Sequence, residues 1–80
     1  MLTTKHFNEM LKERTITPQW VDRTVSSPER TEDREDGTRH FLRRIPERGN
    51  RWLRVIVNMD VEPPKAVTVF FDRRVRKEKG

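Results

Sequence analysis

The sequence predicts an α+β domain in which two N-terminal helices pack on an antiparallel sheet of three to four strands. Three observations lead there. Apolar residues fall three and four apart before Pro28, whereas side chains alternate with a period of two after it. The alternating runs are separated by the turn dipeptides Asp36-Gly37 and Gly49-Asn50. Helices segregated from a strand meander bury their apolar faces best as two layers.

Phe7, Met10 and Leu11 stand at i, i+3 and i+4, and Thr3 or Thr4 can cap, so residues 4–14 read as a short amphipathic helix. Thr17-Pro18 starts a second one, with Pro at a position where the missing N–H costs nothing. Trp20, Val21 and Val25 supply its apolar face, and Ser26-Ser27-Pro28 stops it. A weak acidic strand over residues 29–35 follows, then the Asp36-Gly37 reversal and a strand from Arg39 to Ile45. Arg51 to Met59 is the strongest strand, with Leu53, Val55, Val57 and Met59 on one face and Trp52, Arg54 and Ile56 on the other. Glu62-Pro63-Pro64 makes a loop before the last strand, Ala66 to Asp72. The basic tail of residues 73–80 is expected to fray, within a single domain of residues 1–80.

The chain of 80 residues contains no cysteine, which excludes disulfide staples, a thiol nucleophile and thiolate metal sites. Leu, Ile, Val and Phe number 19 while 39% of residues are charged, so the core is thin and many charges must find partners. There is no apolar run of membrane-spanning length and no signal-peptide pattern, so a soluble cytoplasmic protein with no membrane association is expected. The net charge of +5 is uneven. Residues 28–37 carry five acids against two arginines, whereas residues 38–59 carry six arginines against one acid. Arginine grips a phosphate through two parallel N–H donors, which favours a polyanionic partner for the second half.

Strand parity turns this bias into a surface. If Leu53, Val55 and Val57 face the helices, then Phe41, Ile45, Val67, Val69 and Phe71 do so too. The opposite face gathers His40, Leu42, Arg44, Trp52, Arg54, Ile56, Thr68, Phe70, Asp72 and Arg74, with Arg73 beside it. Arginines interleaved with aromatic rings on a sheet are the means by which single-stranded RNA is held, phosphates on the cations and bases on the rings. The competing reading makes Trp52, Ile56 and Phe70 a docking face for a protein partner or a second copy of the chain.

The inventory of neutral-pH bases is short. His40 lies among the arginines, where it can take a proton from a ribose 2′-OH while Arg44 or Arg54 stabilises the phosphate charge. His6, in the first turn of the first helix, reads as a packing or helix-end residue, and Arg14 falls on the buried side of that helix, near its terminal carbonyls. No metal-ligand spacing, phosphate loop or nucleophile elbow is present, so no cofactor and no metal is expected. Glu32, Asp33, Glu35 and Asp36 read as a solvated strand edge that discourages sheet-to-sheet aggregation.

His6, Met10, Arg14-Thr15-Ile16, Trp20-Val21, Ser27-Pro28, Arg44-Ile45-Pro46, Gly49-Asn50-Arg51, Leu53-Arg54-Val55 and Val67-Thr68-Val69-Phe70-Phe71-Asp72-Arg73-Arg74 together resemble the small bacterial domain-of-unknown-function family 4258. That family's element order is similar to the RelE-like and BrnT-like toxin fold, whose members cut RNA without a metal. The resemblance implies a RelE-like fold, an antitoxin as protein partner, and site residues at His40, Arg54, Thr68, Arg74 and Arg44. It also draws in His6 and Arg14 as parts of the family motif. The terminal Tyr or His that RelE-type nucleases often use is missing here, where Asp72-Arg73-Arg74-Val75-Arg76 stands instead. The expected function is thus RNA binding through an Arg-rich sheet face, with metal-independent ribonuclease activity, and the alternative is a non-catalytic protein-interaction module.

Overall fold

Two threonines start the two helices. In the computed structural model, which describes residues 1–75, Thr4 caps α1 (Lys5–Glu13) and Thr17 caps α2 (Pro18–Ser26). Each threonine hydroxyl accepts from the backbone N–H three residues on, Phe7 at 3.0 Å and Trp20 at 3.2 Å, satisfying one orphan donor of the first turn. At the end of α1, Thr15 adopts a positive φ of 56°. The chain then doubles back so that the Ile16 N–H donates to the Leu11 carbonyl at 2.9 Å, and Ile16 is buried.

The sheet is a four-stranded antiparallel meander in the order β1 (Arg30–Asp33), β2 (Thr38–Ile45), β3 (Arg51–Asn58), β4 (Lys65–Phe71). The expected α+β arrangement is therefore present. Gly37, at φ +86°, turns β1 into β2, and a side chain there would run into the Asp60 carboxylate. Its carbonyl accepts from the Met59 N–H at 2.9 Å, which ties the turn to the end of β3. A 3₁₀ turn, Pro46–Arg48, with Gly49 and Asn50 both at positive φ, reverses β2 into β3. The loop before β4 contains a cis Glu62–Pro63 bond. Leu2 adds a parallel bridge to Lys65, accepting from the Ala66 N–H and donating to the Pro64 carbonyl, both at 2.8 Å.

Both helices lie on one face, α1 against β4 and α2 against β2 and β3. Phe7, Leu11, Val21, Ile45, Leu53, Val55, Val57 and Val69 form the core between the layers, so the parity assigned to β3 holds for Leu53, Val55 and Val57, whereas Met59 lies past the end of the strand and is exposed. Val67 departs from it. The register slips between Ile56 and Val57, so Val57 pairs with Ala66 and Val67 is the extra residue of a bulge. Ala66 is buried and Val67 is 45% exposed, the reverse of a strict alternation.

Leu42 lies on the outer face opposite Arg54, yet it is fully buried, so this face is covered by its own large side chains. Beyond β4, the Arg74 N–H donates to Asp72 Oδ1 at 2.9 Å, capping a turn after which Val75 is buried. The rest of the tail expected to fray, residues 76–80, lies outside the described residues.

Candidate functional site

The outer face is built from β1, β2 and β3 in register, which brings Glu32 opposite His40, His40 opposite Ile56, and Leu42 opposite Arg54. Arg54 stands at its centre with a side chain only 8% exposed. Its Nε donates to Asp72 Oδ2 at 2.7 Å, and its Nη1 donates to Glu32 Oε1 at 3.2 Å and lies 2.7 Å from His40 Nδ1. Arg34 joins Glu32 at 2.7 Å, and Arg74 Nε reaches Asp72 Oδ1 at 3.2 Å. The expected open cation is thus a buried one shared between two carboxylates. An acidic side chain assigned to a solvated edge, Glu32, is instead part of this network, because β1 pairs fully with β2 and turns Glu32 onto the crowded face.

Chemistry follows from the donors. A guanidinium has only N–H groups, so His40 Nδ1 accepts from Arg54 and the neutral ring keeps its proton on Nε2. Burial pushes the His40 pKa down, and the positive charges of Arg34 and Arg54 push it further, against the smaller pull of Glu32 and Asp36. The imidazole is therefore neutral, but its lone pair is held by Arg54 and its other edge is a donor. Burial alone raises the Asp72 carboxyl, and the bonds from Arg74 and Arg54 outweigh it, leaving the group below its usual range. Glu32 is likewise lowered, with burial opposing and Arg54 and Arg34 prevailing.

The other sequence-derived candidates are scattered. Arg44 grips Glu29 through Nε and Nη2 at 3.1 and 2.9 Å and lies 5.5 Å over the Trp52 ring. Thr68 pairs with Ile56 in register, but its hydroxyl donates to the Met10 thioether at 3.2 Å, so it is turned to α1 and not to the arginines. Arg14 turns its guanidinium toward the sheet. It caps α1 from an exposed position and donates to the Val69 carbonyl of β4 at 2.6 Å, not to helix carbonyls. His6 is exposed. Trp52, Ile56 and Phe70 are half-buried among their neighbours, and the exposed large apolar side chains are Met1, Leu2, Met59, Val61 and Val67, away from that proposed docking face.

Two arginines without a carboxylate partner among the described residues lie at one end of the sheet. The Asp72 N–H donates to the Trp52 carbonyl at 2.8 Å, so the start of β3 and the chain leaving β4 are side by side. A cavity of about 350 Å³ opens there, lined by Arg51, Trp52, Phe71, Asp72 and Arg73. The Arg51 guanidinium sits 4.8 Å over the Phe71 ring and Arg48 5.3 Å over it, while Trp20 meets that ring edge-on at 6.3 Å. Arg51 and Arg73 are exposed and have no carboxylate partner among the described residues. Arg51 and Phe71 were not legible as site residues, because their meeting depends on how β3 and β4 are aligned. The Leu53–Phe71 pairing was the signal that would have found them.

A family profile for a domain of unknown function, DUF4258, matches residues 3–71, which covers both helices and all four strands. The chain belongs to the DUF4258 family. No curated protein and no solved structure matches it. In this DUF4258 domain no group of three or more His, Cys, Asp or Glu side chains is placed to hold a metal among the described residues. No helix among them is long and apolar enough to cross a membrane.

Proposed function

We propose that this DUF4258 protein binds single-stranded RNA at the Trp52 end of the sheet. The supporting observation is the pair Arg51 and Arg73, two exposed arginines with no carboxylate partner among the described residues, bordering a cavity walled by Trp52 and Phe71. Cations that already carry a carboxylate gain little from a phosphate, whereas unpaired ones release counterions from the nucleic acid when they bind it. Arg44, Arg54 and Arg74 belong to the first kind. RNA binding without cleavage is the reading the hydrogen bonds support, because proton abstraction by His40 requires breaking its bond with Arg54.

The test is fluorescence anisotropy of a labelled oligouridylate in EDTA across a salt series. The double variant Arg51→Ala, Arg73→Ala lowers the salt slope by about 1.4, at roughly 0.7 per lost phosphate contact to a single strand. Arg74→Ala leaves the slope unchanged. Equal slopes for the wild type and the double variant sink the proposal, and shortened RNA on a gel would restore the nuclease reading.

A further inference from the structure

The cavity between the start of β3 and the end of β4 differs from the outer face in which polar atoms are still unused. Among the described residues Asp72 is the only acidic side chain in its wall, and both oxygens are taken: Oδ2 accepts from Arg54 and Arg74, Oδ1 from the Arg74 backbone N–H and Nε. What remains on the lining side chains is donors alone, the guanidinium N–H groups of Arg51 and Arg73 and the indole N–H of Trp52. Such a wall takes an anion with many acceptors. Its side chains offer no free acceptor with which to read the amino group of one base against another.

Size and shape narrow the ligand. At about 350 Å³ the cavity is near the small end of the roughly 300–1,000 Å³ found for small-molecule sites, room for one nucleotide unit and not for a stack of bases. Trp52 and Phe71 supply apolar wall for a base or sugar, and the arginine planes are themselves stacking surfaces. The wall itself positions both residues. The Arg51 guanidinium rests on Phe71, and the Arg73 backbone belongs to the turn that Asp72 caps through the Arg74 N–H, with Asp72 fixed in turn by Arg54. Less of the Arg51 side chain's freedom is then lost when a ligand arrives.

We propose that this cavity is a subsite for one nucleotide, gripping its phosphate with Arg51 and Arg73 and accepting all four bases alike. The inference rests on the RNA-binding reading and names its unit of recognition. Its Arg54–Asp72 pair is a support for the turn bearing Arg73, and the Asp72 oxygens in the wall are already taken by Arg54 and Arg74.

Amide NMR titration with the 5′-monophosphates of uridine, cytidine, adenosine and guanosine, beside uridine and inorganic phosphate, tests it. The four nucleotides shift the amides of residues 51–52 and 71–73 with affinities within about threefold of one another, since no side-chain acceptor is free to separate the bases. Uridine and phosphate alone bind at least about tenfold more weakly, the equivalent of one lost charged contact. Arg73→Ala, an exposed change that leaves the core intact, removes the shifts. Phosphate binding as well as the nucleotides, or guanosine monophosphate preferred by about tenfold or more, overturns the subsite. So does the absence of nucleotide shifts at these amides while labelled oligouridylate still binds, a result that leaves the RNA reading standing. Nucleotide binding here with no oligouridylate binding does the opposite, upholding the subsite and removing RNA as its source.

Discussion

Arginine is abundant both at the centre of the outer face and at the Trp52 end of the sheet, and the two regions behave oppositely. At the centre, Arg54 is buried and divided among Asp72, Glu32 and His40, and Arg74 leans on the same Asp72. At the end, Arg51 and Arg73 have aromatic or solvent surroundings and no carboxylate among the described residues. The difference teaches that counting arginines on a face measures neither its field nor its availability. A buried guanidinium must be paired to be tolerated, and once paired it serves stability. An exposed one with no partner is left for a ligand.

Removing each kind of arginine breaks the comparison most directly. Arg54→Ala leaves Asp72, with a side chain 2% exposed, short of its charge partner, and the expected loss is about 3 kcal/mol or more in a urea melt. Arg51→Ala leaves the urea midpoint unmoved while weakening RNA binding at low salt. If the two variants are equally destabilising, the distinction between centre and end is wrong.

Acid sharpens it next. His40 is held below its usual range, so the fold favours the neutral ring. That contribution is complete above the unfolded value of about 6.5 and is lost as the pH falls from there toward the folded one. The lowered carboxylates Asp72 and Glu32 contribute fully above their unfolded values near about 4 and lose that contribution only below them. Denaturant midpoints of the wild type therefore drop between about pH 7 and 5. In His40→Asn, whose side-chain oxygen still accepts from Arg54, the curve is flatter over that span. A wild-type midpoint that holds level there would show that His40 is not gripped as described.

The smallest effect belongs to the exposed pairs. Arg74→Gln keeps the backbone N–H bond to Asp72 and removes a side chain that is 82% exposed, so its melt overlays the wild type. Arg23→Gln breaks the pair that holds the Glu47 carboxyl down at about 2. It also leaves the melt unchanged, because both partners are well solvated. A clear shift from either would mean that surface pairs carry stability here, and the contrast with Arg54 would fade.

Much of this was legible in the amino-acid order. Thr4, Thr17-Pro18, Asp36-Gly37 and Gly49-Asn50 mark their own positions because caps and positive-φ turns act over three or four residues. Strand β3 was readable for a similar reason, since its alternation needs no knowledge of a partner strand. The site was less so. Val67 was misassigned because a bulge is a property of two paired strands. Glu32 looked like solvated edge because its partners lie 22 and 2 residues away, and only the former buries it.

Local physics in the sequence alone thus determined two capped helices, the turns and the α+β class, all set by contacts between near neighbours. Tertiary structure decided which arginines are free. Arg54 meets Asp72 across 18 residues, and Arg51 meets Phe71 across the β3–β4 pairing. Neither meeting is encoded in spacing, because the register of a strand pair is fixed by the burial of the whole face and not by any one residue on it.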